Sequence, residues 1–181
     1  MDGGAFQNLC DAYLSYKGYK NVYSLGMRTG TDKTAKGNPD TYFLTAENKY
    51  VFVMYTTQKT DFLKKAIEDI DKCFDSQKTG VSAEDIVEII YCHTYGRLGP
   101  GDDQYLRQYC EKRGVVLTLV GLDQLGNDIF RECPILAKDF FGISIDSGQI
   151  LSMDIFVAKH DANKMSAPLG TEFLLREKEL E

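Results

Sequence analysis

The chain has 181 residues, long enough for one well-buried core and an appendage. With 43% hydrophobic and 12% aromatic residues it reads as a folded globular domain, and no apolar run approaches the roughly 20 residues of a membrane span. The net charge of −6 argues mildly against a nucleic-acid binder. Its distribution softens that objection: residues 1–65 carry a net +3 and the remainder −9.

The N-terminus lacks the basic flank and apolar stretch of a secretion signal. Residues 5–17 predict a helix, because Phe6, Leu9, Cys10, Tyr13 and Leu14 repeat at helical spacing, and Gly18 ends it. A short strand follows over 21–25. Residues 26–37 are rich in Gly, Thr, Lys and Asp without periodicity and read as a loop. Asn38-Pro39-Asp40 then opens a strand over 41–45, Ala46-Glu47-Asn48 supplies turn residues, and a second strand covers 50–56. Side chains alternate along it, so Tyr50, Phe52, Met54 and Thr56 share one face while Val51, Val53 and Tyr55 share the other.

Thr57-Gln58-Lys59 leads into the longest predicted helix, 60–76, with Thr60-Asp61 as its cap. Leu63, Ile67, Ile70 and Phe74 mark its inner face, with Ala66 and Cys73 beside them. The remaining order is a strand over 85–93, a loop over 96–101 and a helix over 102–112 with Leu106, Tyr109 and Cys110 inward. A strand over 115–120, a helix over 122–131 and a short helix over 134–141 stopped by Gly142 complete it. Strands alternating with helices predict an α/β fold, a mixed central sheet flanked by helices. Five scattered cysteines without a Cys-x-x-Cys pair read as reduced core thiols of a cytoplasmic protein, so zinc is not expected, and His93 and His160 have no companion ligand near them.

The hairpin carries the chemistry. An acid at its mouth, Asp40, faces polar residues at the end of its second strand, an arrangement that suits a divalent ion and an attacking water. Pro39-Asp40 followed by Tyr55-Thr56-Thr57-Gln58-Lys59 resembles the PD-(D/E)XK nuclease motif in a subgroup ending E-Y-T-T-Q-K. The resemblance covers roughly residues 5–132 and implies a restriction-endonuclease-like core that cleaves DNA with Mg²⁺ or Mn²⁺. It implies metal ligation by Asp40, by the acid at position 54 and by the Tyr55 backbone carbonyl. Gln58 or Lys59 would then act in place of the usual lysine, whose position holds Thr56. Gln7 occupies the place of an accessory acid near the start of the first helix in Mrr-like members. The departure is Met54, a soft thioether where a carboxylate is expected. Either this member is degenerate or an acid has been replaced. Weak or absent cleavage is the expectation.

Residues 134–181 read as a connector followed by the start of another helix, so the nuclease-like domain is set at 1–133. Asp146-x-Gly148-Gln149-Ile150, with Phe173-x-x-Arg176-Glu177-x-Glu179-Leu180 later, resembles the junction between a nuclease and a STAND-type NTPase in bacterial antiviral proteins of the AVAST kind. That likeness implies downstream NTPase and sensor domains as partners; self-association is compatible with the fold. Two rivals come from other classes. One is a non-catalytic nucleic-acid-binding or assembly module of the same fold. The other is a Rossmann-like nucleotide-processing effector, weakened because no Gly-x-Gly-x-x-Gly follows the first strand.

Overall fold

The computed structural model describes residues 2–20, 23–24, 38–96 and 98–145. The expected loop at 26–37, most of the expected strand at 21–25, and the junction motifs and C-terminal helix within 146–181 lie outside those residues. The first compact unit runs from Met1 to Ile143, past the boundary read at 133, and only that unit is described below.

Helix α1 (Gly3–Tyr16) starts two residues earlier than periodicity predicts, because the Asp2 side chain caps it by accepting from the Ala5 N–H at 2.8 Å. Strand β2 (Thr41–Leu44) pairs antiparallel with both β1 (Tyr23–Ser24) and β3 (Tyr50–Thr56), and β3, β4 (Ile86–His93) and β5 (Val116–Val120) run parallel. They form one mixed sheet in the order β1-β2-β3-β4-β5, of which β1 contributes two residues. The parallel crossovers carry α2 (Phe62–Phe74), a short turn of helix α3 (Ser76–Thr79), and α4 (Pro100–Glu111). Helices α5 (Leu122–Arg131) and α6 (Pro134–Phe141) follow β5. The architecture is therefore α/β, with helices covering a mixed sheet.

Strand alternation divides the core. Phe52, Met54, Ile89, Tyr91, Leu117 and Leu119 form one face, packed on Phe62, Ala66, Ile70 and Cys73 of α2 and Leu106 and Cys110 of α4. The opposite residues Val53, Ile90 and Cys92 are equally buried. On that side the Tyr55 hydroxyl hydrogen-bonds Asp11 of α1. Lys17 and Tyr13 of α1 reach Asp128 of α5 at 3.1 and 2.6 Å, which ties the first helix to the last turns of the unit. All five cysteines are free and buried. Among the described residues no helix is long and apolar enough to cross a membrane.

Three local expectations need correction. The helix predicted over 60–76 is two helices, broken at Asp75, whose backbone is extended and whose side chain caps α3 through the Gln77 N–H. Asp61 precedes α2 in a left-handed conformation (φ 50°) and makes no side-chain cap. Helix α4 begins at Pro100 inside the predicted loop, with proline at the first helical position, where its missing N–H costs nothing.

Candidate functional site

The register of the hairpin sets the site. Thr41 pairs with Val53, so Asp40, one residue earlier, comes alongside the end of β3, and the Tyr55 N–H donates to Asp40 Oδ2 at 3.1 Å. The N–H and C=O of one extended residue leave the chain on the same side, so the Tyr55 carbonyl is also directed toward the Asp40 side. Asp40, Met54, Tyr55, Thr56, Thr57 and Gln58 line one cleft of about 690 Å³, and Gln7 of α1 lines it as well.

Each predicted residue has its own surroundings. Met54 is buried in the core cluster and exposes only an edge to the cleft. Thr56 is buried, and its hydroxyl accepts from the Gln58 N–H at 3.2 Å. The Gln58 amide donates to the Thr60 carbonyl at 2.7 Å. Gln7 is buried and donates to Thr41 Oγ1 at 3.4 Å. Lys59 is not with them. It lines a separate cleft of about 480 Å³ with Phe6, Leu9, Leu122, Leu125 and Ile129. Gln58 and Lys59 are neighbours in sequence, yet each lines a different cleft.

Sequence reasoning missed the helix α2 contribution. Its buried stripe is Phe62, Ala66, Asp69, Ile70 and Cys73, while Leu63, Ile67 and Phe74 are half-buried. The helix is thus rotated relative to the predicted face, and a carboxylate lies on its inner side. Asp69 is 2% exposed and accepts from Lys65 at 2.6 Å, Lys72 at 2.9 Å and the Tyr91 hydroxyl at 3.0 Å. Lys65, Asp69, Lys72 and Lys78 all line the Asp40 cleft. The available signal was an aspartate seven residues after Phe62 and three after Ala66, on the apolar stripe. Asn38 also lines the cleft; its amide donates to the Lys72 carbonyl at 2.7 Å, and its Oδ1 is buried without a partner.

Electrostatics follow from burial. Desolvation pushes the Asp40 carboxyl up to about 6; Asp69 and Asp11 add to the push, and the Tyr55 N–H and Lys65 oppose it. The Lys72 ammonium is held above its ordinary value by its hydrogen bond to Asp69. Burial drives the Tyr91 phenol well up, with Asp69 contributing, so it stays a neutral donor. His93 is buried away from the cleft against Phe62. Its Nδ1 donates to the Tyr95 carbonyl at 3.1 Å, and burial pulls its pKa down.

Mg²⁺ or Mn²⁺ requires several hard oxygen ligands, one or two of them usually carboxylate, with water and substrate oxygens completing the set. The cleft offers Asp40, whose burial already disfavours its charged form. Asp69 Oδ1 is occupied by two ammonium groups, and Met54 supplies sulfur where the motif needs oxygen. Among the described residues no group of three or more His, Cys, Asp or Glu side chains is arranged to hold a metal ion. The described donors of the cleft do not by themselves make up a divalent-cation site. What the cleft does hold is two desolvated carboxylates, Asp40 and Asp69, with three lysines and several amides. The chain matches no family model and no curated protein.

Proposed function

We propose that this chain is a cytoplasmic restriction-endonuclease-like domain that holds a nucleic-acid strand in the Asp40 cleft, and that Met54 removes the carboxylate its hydrolysis requires. The reading is carried by one observation: the acid at the mouth of β2 and the tip of β3 open on a shared cleft. Lys65, Lys72 and Lys78 on the rim support it, because a phosphate backbone is bound first by positive charge. With a thioether at position 54 the cleft binds the backbone and leaves it intact. The DNA substrate and the role as an antiviral effector upstream of an NTPase belong to the same proposal. The effector role rests on residues 146–181.

The deciding experiment restores the acid. Met54→Glu is assayed on plasmid DNA with Mg²⁺ or Mn²⁺, beside Asp40→Ala in the same background. Nicking or linearisation by Met54→Glu, abolished by Asp40→Ala, is the expected result. A folded Met54→Glu chain that cuts no DNA with either metal ends the nuclease reading and leaves a binding module.

A further inference from the structure

Two features of the cleft are unused by the hairpin motif: the buried carboxylate of α2 and the two lysines it holds. We propose that Lys65 and Lys72, anchored by Asp69, form a seat for one phosphodiester group of a nucleic-acid strand lying beside Asp40. This deepens the reading above and rests on it.

The geometry comes first. Lys65 and Lys72 are seven residues apart on α2, two turns along one face. Both ammonium groups bind the same oxygen, Asp69 Oδ1, at 2.6 and 2.9 Å, so the two nitrogens lie no farther apart than the sum of those distances, 5.5 Å. Two non-bridging phosphate oxygens span such a gap. An ammonium has three N–H donors, and Asp69 takes one from each lysine. The remaining donors are on side chains that are 31% and 42% exposed along the cleft wall.

Charge comes second. Two like charges at that spacing repel, and one carboxylate between them leaves the group with a net +1. A phosphodiester carries one negative charge, so the two match. The anchor is fixed from below: Asp69 Oδ2 accepts from the Tyr91 hydroxyl of β4 at 3.0 Å. The seat is therefore built on a central strand, not on flexible surface stems.

A purely structural role fits the arrangement poorly. In an ordinary helix-stabilising pair both partners are at the surface and contribute little. Here the carboxylate is 3% exposed in its side chain, on the apolar stripe of α2. An apolar residue there would serve stability better, since a buried charge must first be stripped of water. The burial makes sense if the two ammonium groups above it have work to do at the cleft.

The test uses the full chain and a labelled duplex oligonucleotide, followed by fluorescence anisotropy across a salt series. The variants are Lys65→Gln, Lys72→Gln, their combination, the charge-preserving Lys65→Arg/Lys72→Arg, and Lys112→Gln on the exposed end of α4 as a control. Each glutamine variant is expected to weaken binding several-fold at low salt. Each should also lower the slope of log K against log salt by about 0.9, as the loss of one phosphate contact requires. The arginine pair should restore both, and Lys112→Gln should change neither. Unchanged affinity and slope in the double glutamine variant overturn the seat. If Met54→Glu cuts DNA in that case, the nuclease reading survives without it. Lysine-dependent binding alongside a silent Met54→Glu keeps the seat and removes the catalytic half of the reading. A wild-type chain that binds no oligonucleotide overturns the seat outright. So does one that binds a mononucleotide through these lysines but no strand, because its ligand is then a phosphate monoester.

Discussion

Two clefts open near the end of β3, and both are lined by Phe6 and Thr57. Beyond those residues they have little in common. The cleft on the Asp40 side collects two carboxylates, three lysines and the amides of Gln7, Asn38 and Gln58. The other is walled by Leu9, Leu122, Leu125, Ile129 and Phe141, with Lys59 and Thr94 among the few polar residues. The contrast shows that the wall a side chain faces decides its chemistry, and adjacency in sequence does not. Gln58 and Lys59 follow one another and serve different walls.

That contrast predicts opposite responses to truncation. Leu125→Ala removes a 2% exposed side chain from the apolar wall and is expected to cost about 3 kcal/mol by lost burial and an unfilled cavity. It should leave oligonucleotide binding unchanged. Asp69→Ala is expected to cost about 2 kcal/mol, mostly because the buried Tyr91 hydroxyl loses its acceptor; the lysines, being partly exposed, add little. This variant should impair binding. Urea denaturation and anisotropy on both variants check the pair. A combined Asp69→Leu/Tyr91→Phe chain sharpens it, with stability restored toward wild type and binding still lost. Recovery of both would mean that the polar group beneath the lysines is dispensable.

The frame of this comparison was legible in the sequence, and its charged wall was not. The strand-length apolar run over Tyr50–Thr56, following turn residues, matched β3 with the observed bounds, and Pro134 with Gly142 bracketed α6. These signals are local: a short run of strand-forming residues after a turn, a proline at a helix start, a glycine at its end. The inner face of α2 is a tertiary matter. Leu63, Ile67, Ile70 and Phe74 make a plausible apolar stripe. Helix rotation is instead set by packing of Phe62, Ala66, Ile70 and Cys73 against the strands, which brings Asp69 inside. A buried carboxylate is tolerable there only because Lys65, Lys72 and Tyr91 converge on it. Lys65 and Lys72 lie four residues before and three after Asp69 on α2, but Tyr91 is on β4, so no short window contains the whole pattern.

Acidity separates the two walls as well, since no carboxylate is among the described residues lining the apolar cleft. The folded state raises the Asp40 pKa from its ordinary value to about 6, so it holds the proton more tightly than the unfolded chain does. The resulting stabilisation is complete below about pH 4 and is lost as pH rises through 6, a change of about 3 kcal/mol. Asp75, Asp103 and Asp128, held down by Lys78, Arg107 and Tyr13 respectively, act with the opposite sign at lower pH. Buried His93 also opposes the trend, because its depressed pKa favours the folded state as pH rises toward 6.5. The Asp40 share is therefore read as the difference between wild type and Asp40→Asn in urea midpoints from pH 4 to 7. That difference should shrink steadily toward neutrality in the direction that penalises wild type. A constant offset would show that Asp40 titrates normally and is solvated, which would remove the desolvated carboxylate from the site.

The smallest expected effect is the most discriminating for the hairpin motif itself. If adjacency to Gln58 made Lys59 part of the phosphate machinery, Lys59→Gln would depress cleavage by the Met54→Glu chain as strongly as Lys65→Gln does. The lining of the two clefts argues otherwise. Lys59 stands with Leu122, Leu125 and Phe141, and Lys65 stands with Asp40 and Asp69. Lys59→Gln is expected to change stability by less than about 0.5 kcal/mol, as surface substitutions do, and to leave the salt slope of binding where it was. Lys65→Gln should lower that slope by about 0.9. Measuring the two variants side by side asks which lysine the strand meets. A lowered slope for Lys59→Gln would mean that the bound strand crosses from one cleft to the other over Thr57, and the division drawn between the walls would give way to one continuous binding surface.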